Sequence, residues 1–332
     1  MQDSLLMGVD IGGTKIAAGL VTPDGEIRSQ LKAPMISREG PALALAAVVS
    51  AIDSLYGQVK SPAFIQGIGI CAPGPLDPNT GVIVNPPNLP CWRDFPLSAE
   101  IAKKFGVSIK VDNDANAAAL AEARWGAGRG YKNVFYATIG TGIGTGIILD
   151  GTIYHGRTGA AAEGGHVSID YRGPRCGCGK LGCIEALAAG PAIALRARAH
   201  LRRDLGTDSA ILGLAHGDIE AVTSEMVGSA YAAGDRMAKD ILLETIDLLS
   251  VWIGNTIDLL EPDVILIGGG AATMLGPLFD EIRDRLPGYC VNSRCQEIPI
   301  LKARYGANAG IAGGAALCSA TFTRAESLSA LH

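Results

Sequence analysis

The sequence has no G-x-x-x-x-G-K-[ST] phosphate loop; its only Gly-Lys pair, Gly179-Lys180, is followed by Leu181. The Gly140–Gly146 run reads G-x-G-x-G-x-G rather than G-x-G-x-x-G. A Walker-type ATPase and a dinucleotide fingerprint are therefore not supported. There is no basic block or Lys/Arg stripe, and the formal net charge is −5, so nucleic acid is not an expected partner. The longest apolar helix candidate, Ile241–Leu260, carries Glu244, Asp247 and Asp258. It reads as a buried core helix rather than a membrane span. The start, MQDSLLMGVDIGG, lacks the basic stretch and cleavage site of a signal peptide, so the expected location is cytoplasmic. Eight Cys in 332 residues do not make a secreted disulfide framework.

Glycine, by contrast, is abundant at 44 residues, and 48% of the chain is hydrophobic. That combination allows a sizeable core with many places where backbone comes close to backbone or ligand. One pattern occurs twice. Leu5–Asp10 reads as a strand, Ile11-Gly12-Gly13-Thr14 as a turn, and Lys15–Val21 as a second strand, followed by Asp24-Gly25. Val134–Thr138, Ile139-Gly140-Thr141-Gly142 and Ile143–Leu149 repeat it, followed by Asp150-Gly151. Asp-Gly between apolar runs is a hairpin signal, and two such hairpins suggest a duplicated domain. Helices are expected at Pro41–Tyr56, near Ser98–Phe105, at Ala115–Trp125 and at Asn308–Leu317. Strands are expected at Ile65–Cys71, Val107–Val111 and Val264–Ile267, with a mostly helical stretch from Glu185 to Leu260. Alternating strands and helices argue for an α/β architecture.

The Gly/Thr turns could be turns and nothing more, or nests of backbone N–H groups for an anion. Thr14 and Thr141 would add hydroxyl donors and Lys15 a cation. Asp10, at a strand end, could hold the water shell of Mg²⁺. Gly268-Gly269-Gly270 closes a strand at the end where α/β sheets bind ligands. Asn113-Asp114 precedes a helix, so Asp114 could cap that helix, act as a general base, or do both. Asn88, Glu163, His166 and Glu185 are side chains able to grip sugar hydroxyls. Cys176, Cys178 and Cys183 lie close together among glycines, with His166 the nearest imidazole upstream. Four such ligands suit a structural zinc; a redox-active thiol cluster is the rival.

Taken together, the segments DIGGTK (Asp10–Lys15), APGPLD (Ala72–Asp77), PNLPCW (Pro87–Trp92), NDANA (Asn113–Ala117), GTGIG (Gly140–Gly144), EGGH (Glu163–His166) and CGCGKLGCIE (Cys176–Glu185) resemble the ROK family. Within it they resemble the zinc-containing glucokinases and N-acetylhexosamine kinases. The resemblance implies an actin/hexokinase/Hsp70-like two-lobed α/β fold with duplicated βββαβα-type domains and with nucleotide and sugar in the cleft. The small lobe would be residues 1–116 plus 310–332, the large lobe 117–309. It implies ATP-dependent phosphorylation of a hexose 6-hydroxyl, glucose first, with N-acetylmannosamine or N-acetylglucosamine as alternatives. Asp114 would be the base, and Asn88, Asn113, Asp114, Glu163, His166 and Glu185 would bind the sugar. Asp10, Gly12, Gly13, Thr14, Lys15, Thr141 and Gly142 would serve the phosphates and Mg²⁺, with Gly268, Gly269 and Gly270 facing the adenosine. His166, Cys176, Cys178 and Cys183 would hold Zn²⁺. Polyphosphate as donor and a non-catalytic sugar sensor remain rivals. A homodimer or homotetramer is the expected assembly. Family repressors carry a helix-turn-helix ahead of the first glycine loop, and only nine residues precede Asp10 here, so a DNA-binding role is not expected.

Overall fold

The computed structural model describes residues 4–203 and 209–319. The outermost parts of the expected small lobe, residues 1–3 and 320–332, lie outside the described residues. Strands β1 (Leu5–Ile11), β2 (Lys15–Val21), β3 (Ile27–Pro34), β4 (Ile65–Ala72) and β7 (Ser108–Asn113) form one five-stranded sheet in the order β3-β2-β1-β4-β7. A two-stranded pair, β5 (Leu76–Asp77) and β6 (Val82–Ile83), lies in the Pro/Asn-rich segment between β4 and β7. Strands β8 (Val134–Ile139), β9 (Ile143–Leu149), β10 (Thr152–Ile153), β11 (Val264–Gly268) and β12 (Ile300–Lys302) form the second, ordered β10-β9-β8-β11-β12. The same order of hairpin, third strand and two later strands appears in both sheets, so the repeat seen in the sequence is a repeat of architecture.

The helices are α1 (Pro41–Tyr56), α2 (Leu97–Phe105), α3 (Asp114–Trp125), α4 (Ile184–Ala188), α5 (Gly190–Arg203), α6 (Ala210–Leu214), α7 (Ser224–Ala232), α8 (Arg236–Leu260), α9 (Ala271–Leu275), α10 (Phe279–Arg285) and α11 (Ala309–Cys318). Among the described residues no helix is long and apolar enough to cross a membrane. The chain divides into two compact units. Unit one is Met1–Val134, Gly146–Ala162 and Arg304–His332; unit two is Phe135–Thr145 and Glu163–Ala303. Residues 117–134, 146–162 and 304–309, which the resemblance assigns to the large lobe, fall in unit one, and with them most of helix α3. The reason is packing: α3 lies against α11, so closely that a Cβ on Gly313 would come within 2.7 Å of the Ala117 carbonyl carbon.

In unit one the two faces of the first sheet are read off the alternation along β1. Met7, Val9 and Ile11 join the apolar core with Val48, Ile52 and Leu55 of α1. Gly8 and Asp10 point the other way, toward α11. There the backbones nearly touch. A Cβ on Gly8 would stand 1.8 Å from the Ile311 carbonyl oxygen, and one on Gly69 would stand 1.7 Å from that of Gly314. A helix seated so low has no room for a methyl group, and the obstacle is backbone, which cannot rotate away. Gly69→Ala is therefore expected to destabilise the protein by about 1–3 kcal/mol or more. Gly276→Ala, at a right-handed helical position with nothing within 4 Å of its Cβ, should melt within a degree or two of the parent. Paired thermal melts check this; equal stability of the two variants would mean that α11 does not rest on the sheet through these glycines.

Candidate functional site

Strands β1, β4 and β7 run parallel, so their C-terminal ends share one edge of the sheet. Asp10 pairs in register with Cys71, and Cys71 with Asp112. The parallel edge thus carries Asp10, Asp112, Asn113 at the end of β7 and, one step beyond it, Asp114. This is the edge at which α/β sheets bind ligands. Asn113, not Asp114, caps α3: its side chain accepts from the Ala115 N–H at 2.9 Å. Asp114 is the first helical residue, is exposed, and its Oδ1 also accepts from the Ala115 N–H, at 2.8 Å.

Two carboxylates close together in a partly buried place cannot both ionise freely. Burial, and then the charge of Asp114, push the Asp10 carboxyl up from 3.8 to about 6. Burial and the surrounding Asp10, Asp114 and Asp112 carboxylates likewise push the Cys71 thiol well above its ordinary value. Such a thiol stays protonated; its Sγ lies 3.1 Å from the Gly310 carbonyl oxygen, and it is no nucleophile. The raised Asp10 value has a definite sign in stability. The folded protein holds that proton more tightly than the unfolded chain. Stability is therefore lost as pH rises from about 4 through 6, by about 3 kcal/mol at most. Asp10→Asn should then melt above the parent at pH 7.5 in magnesium-free buffer, and the gain should shrink toward pH 5. A gain independent of pH would show that the carboxylate is not under this stress.

The first glycine turn is tight: Gly12 N–H donates to the Lys15 carbonyl at 2.8 Å, which leaves Gly13 and Thr14 at the tip. The Ser37 hydroxyl donates to the Gly13 carbonyl at 2.7 Å, and the Asn88 carbonyl would lie 2.7 Å from a Cβ on Gly13. The structure therefore brings Asn88, which is exposed, beside the loop Gly12–Lys15; Thr14 and Lys15 are exposed as well.

In unit two the segment Glu163–His166 is held from two sides. The Gly164 N–H donates to Thr145 Oγ1 at 2.8 Å, and Trp252 Nε1 of α8 donates to the Gly164 carbonyl at 3.0 Å. Trp252 is itself buried and meets Phe135 of β8 edge-on, with ring centroids 5.5 Å apart. The turn thus stands on the core of its unit, with Glu163 exposed. The four expected metal ligands, His166, Cys176, Cys178 and Cys183, converge so that their donor atoms all lie within 4.8 Å of one another. His166 Nδ1 is 3.6 Å from Cys176 Sγ, and Cys178 Sγ is 3.6 Å from Cys183 Sγ. A tetrahedron with metal–sulfur bonds of about 2.3 Å has edges of about 3.8 Å, so the donor set fits a zinc-sized soft ion.

Glu185, expected to bind the sugar, stands between the second glycine loop and the Cys/His cluster. Its Oε2 accepts from the Ile143 N–H at 2.9 Å and occupies the space where a Cβ on Gly142 would be, 2.5 Å away. Its Oε1 lies 3.7 Å from Cys176 Sγ and 3.8 Å from His166 Nδ1. One carboxylate therefore joins the second glycine loop to the Cys/His cluster, and Gly142 is glycine because that carboxylate needs the room. The loop is closed further by Gly140 N–H donating to Gly142 O at 2.9 Å, and by Gly190 N–H donating to Gly140 O at 2.8 Å.

Beside this loop unit two has a pocket of about 570 Å³. Thr141 and Gly270, both singled out from sequence, line it. Gly268 and Gly269 do not; they pack against Tyr136 and Ile139 of β8. The remaining wall escaped sequence reasoning: Arg198 of α5, Met274 of α9, and Thr223, Ser224 and Glu225 at the start of α7. The only local signal there was Thr223 as a helix cap, where it accepts from the Met226 N–H at 3.4 Å. A pocket of this volume suits a nucleoside-sized ligand.

The model of the ROK family matches residues 6–321 of the chain. A glucokinase from Halalkalibacterium halodurans is 36% identical over 95% of this chain and 94% of its own length. An N-acetyl-D-glucosamine kinase from Pasteurella multocida is 29% identical over 93% of this chain and 98% of its own. Among solved structures, a ROK family glucokinase from Streptomyces griseus in complex with glucose and AMPPNP superposes with a TM-score of 0.79 at 32% identity, covering 94% of this chain and 98% of that one. The expected actin/hexokinase-like α/β fold is borne out by these neighbours.

Proposed function

The chain belongs to the ROK family, and from that footing we propose that it transfers the γ-phosphoryl group of ATP to the 6-hydroxyl of a hexose, glucose foremost. The observation that carries this reading is the pair of carboxylates, Asp10 and Asp114, at one strand edge next to the Gly12–Lys15 loop. Phosphoryl transfer asks for a group that receives the hydroxyl proton and for a positive environment around the phosphates. Asp114, outside the capping role, receives the proton. Asp10 holds Mg²⁺ through its water shell, with Thr14 and Lys15 donating to phosphate oxygens. In unit two, Thr141 and the pocket with Gly270 take the nucleoside, Glu163 and the second ring nitrogen of His166 meet sugar hydroxyls, and Glu185 keeps the Gly140–Ile143 loop in shape. Asn88 and Asn113 complete the hydroxyl partners of unit one. His166, Cys176, Cys178 and Cys183 hold a structural zinc.

The N-acetyl-D-glucosamine kinase among the relatives supports a second reading, in which the sugar carries a 2-acetamido group. Coupled ADP release with glucose, mannose, fructose, N-acetylglucosamine and N-acetylmannosamine decides between them. The highest kcat/KM is expected for glucose. An N-acetylated sugar in first place would favour the second reading. Sugar binding without ADP release from any member, or with polyphosphate alone as donor, would overturn the ATP-dependent kinase.

A further inference from the structure

Unit one contains another pocket, of about 280 Å³, that none of these roles uses. Lys110 and Asp112 of β7, Arg124 of α3, Thr152 of β10, His155 and Asn79 all line it. Arg124 is the unusual member. It is 9% exposed, and its guanidinium donates to the Ala316 carbonyl at 2.5 Å, to the Ser319 carbonyl at 2.9 Å and to the Ser319 hydroxyl, all through Nη1. Its Nε is buried and has no acceptor among the described residues. Capping the end of α11 accounts for Nη1 alone. It leaves a buried cation facing neutral acceptors only, an arrangement that costs free energy unless an anion completes it.

The surrounding charge points the same way. Asp112 is the one carboxylate in the lining, and it is already engaged: His155 Nε2 lies 2.7 Å from its Oδ2, and Asn116 Nδ2 donates to its Oδ1 at 3.2 Å. The hydrogen bond to Asp112 raises the pKa of His155, so the imidazole keeps a proton to higher pH than usual. One negative charge is thus set against Lys110, Arg124 and a His155 whose proton is held more tightly than usual, with Asn79 and Thr152 as neutral donors. Donors arriving from four separate segments suit a tetrahedral anion better than a planar carboxylate. A guanidinium among such donors favours phosphate, to which it can give two parallel N–H bonds. Arg124 lies ten residues along α3 from Asp114, about 15 Å of helix, and none of the phosphate-loop residues Gly12–Lys15 or Thr141 lines this pocket.

We propose that this pocket is a binding site for a small phosphate-bearing anion, either inorganic phosphate or the phosphate group of a compact ester. The test is calorimetric titration of the full-length protein with inorganic phosphate and, separately, with glycerol 3-phosphate, on the parent and on Lys110→Glu and His155→Gln. Lys110 is exposed and His155 half-buried, so both variants should fold, which melting curves verify. The expected result is one site per chain in the parent, weakened about tenfold or more by Lys110→Glu and less by His155→Gln. Tighter binding of the ester than of inorganic phosphate would make the ester the occupant, and equal binding would make it the free ion. An absence of binding in the parent overturns the proposal. So does binding that survives both substitutions, because that anion would sit elsewhere.

Discussion

Asp114→Asn is expected to lower kcat by about 10²–10⁴-fold while the sugar dissociation constant stays within a few-fold of the parent. The replacement keeps the shape of the side chain and an oxygen able to accept from the Ala115 N–H, so α3 keeps its start. The helix cap is untouched because it belongs to Asn113. What disappears is the negative charge that would receive the hydroxyl proton, a loss of roughly 3–5 kcal/mol of transition-state stabilisation. The same change should relieve Asp10, whose carboxyl is pushed up in part by Asp114. The variant should therefore melt at or above the parent temperature at neutral pH even as it stops turning over. Kinetics, sugar titration and melting measured on one preparation separate this from simple damage. Turnover within a few-fold of the parent would remove Asp114 from the role of base.

How much of this could be read beforehand depended on how local each feature is. Strands β2 and β9 and helix α1 begin and end where the apolar pattern and the turn residues say they should. Strand β3 was not anticipated as an element. It is an edge strand whose inward residues, Ile27, Ser29, Leu31 and Ala33, are only half-buried, so its alternation is faint. Strand β12 is too short to show any period. The Cys/His cluster was legible because three of its four members fall within one short loop whose glycines allow it to turn. The pocket next to Thr141 was not. Its wall comes from α5, α7 and α9, and only the tertiary fold brings those ordinary helical residues together.

Glu185 shows a different limit. Its chemistry suits a sugar hydroxyl, but chemistry alone does not tell which neighbours inside the protein it also meets. The geometry gives both oxygens other neighbours: the Ile143 N–H on one side, Cys176 and His166 on the other. No periodicity or spacing reports which way such a side chain turns. The consequence is physical. A change in the Cys/His cluster reaches the Gly140–Ile143 loop through a single side chain.

That link shapes what loss of the metal should do. Among the described residues of the loop from Asp170 to Cys183, Cys176, Gly182 and Cys183 are buried and most of the others are exposed, so little apolar contact holds the loop in place. Its glycines make ordering it expensive in backbone entropy. A bound ion would supply what packing does not, because structural zinc contributes its binding free energy to folding directly. Cys178 is the exposed member of the Cys/His cluster, so Cys178→Ser would remove a metal ligand with minimal loss of packing. The parent, purified without chelator, is expected to carry one zinc per chain and Cys178→Ser well under half of that. The melting temperature should fall in step with the metal. KM for ATP should rise as well, because Glu185 loses the partners on one side while it holds Ile143 on the other. Cys178→His, which restores a donor, should recover metal, stability and KM together. Elemental analysis showing no zinc in the parent, or a full equivalent in Cys178→Ser, would refute the assignment. Loss of zinc with an unchanged KM would keep the metal site and cut its connection to the nucleotide loop.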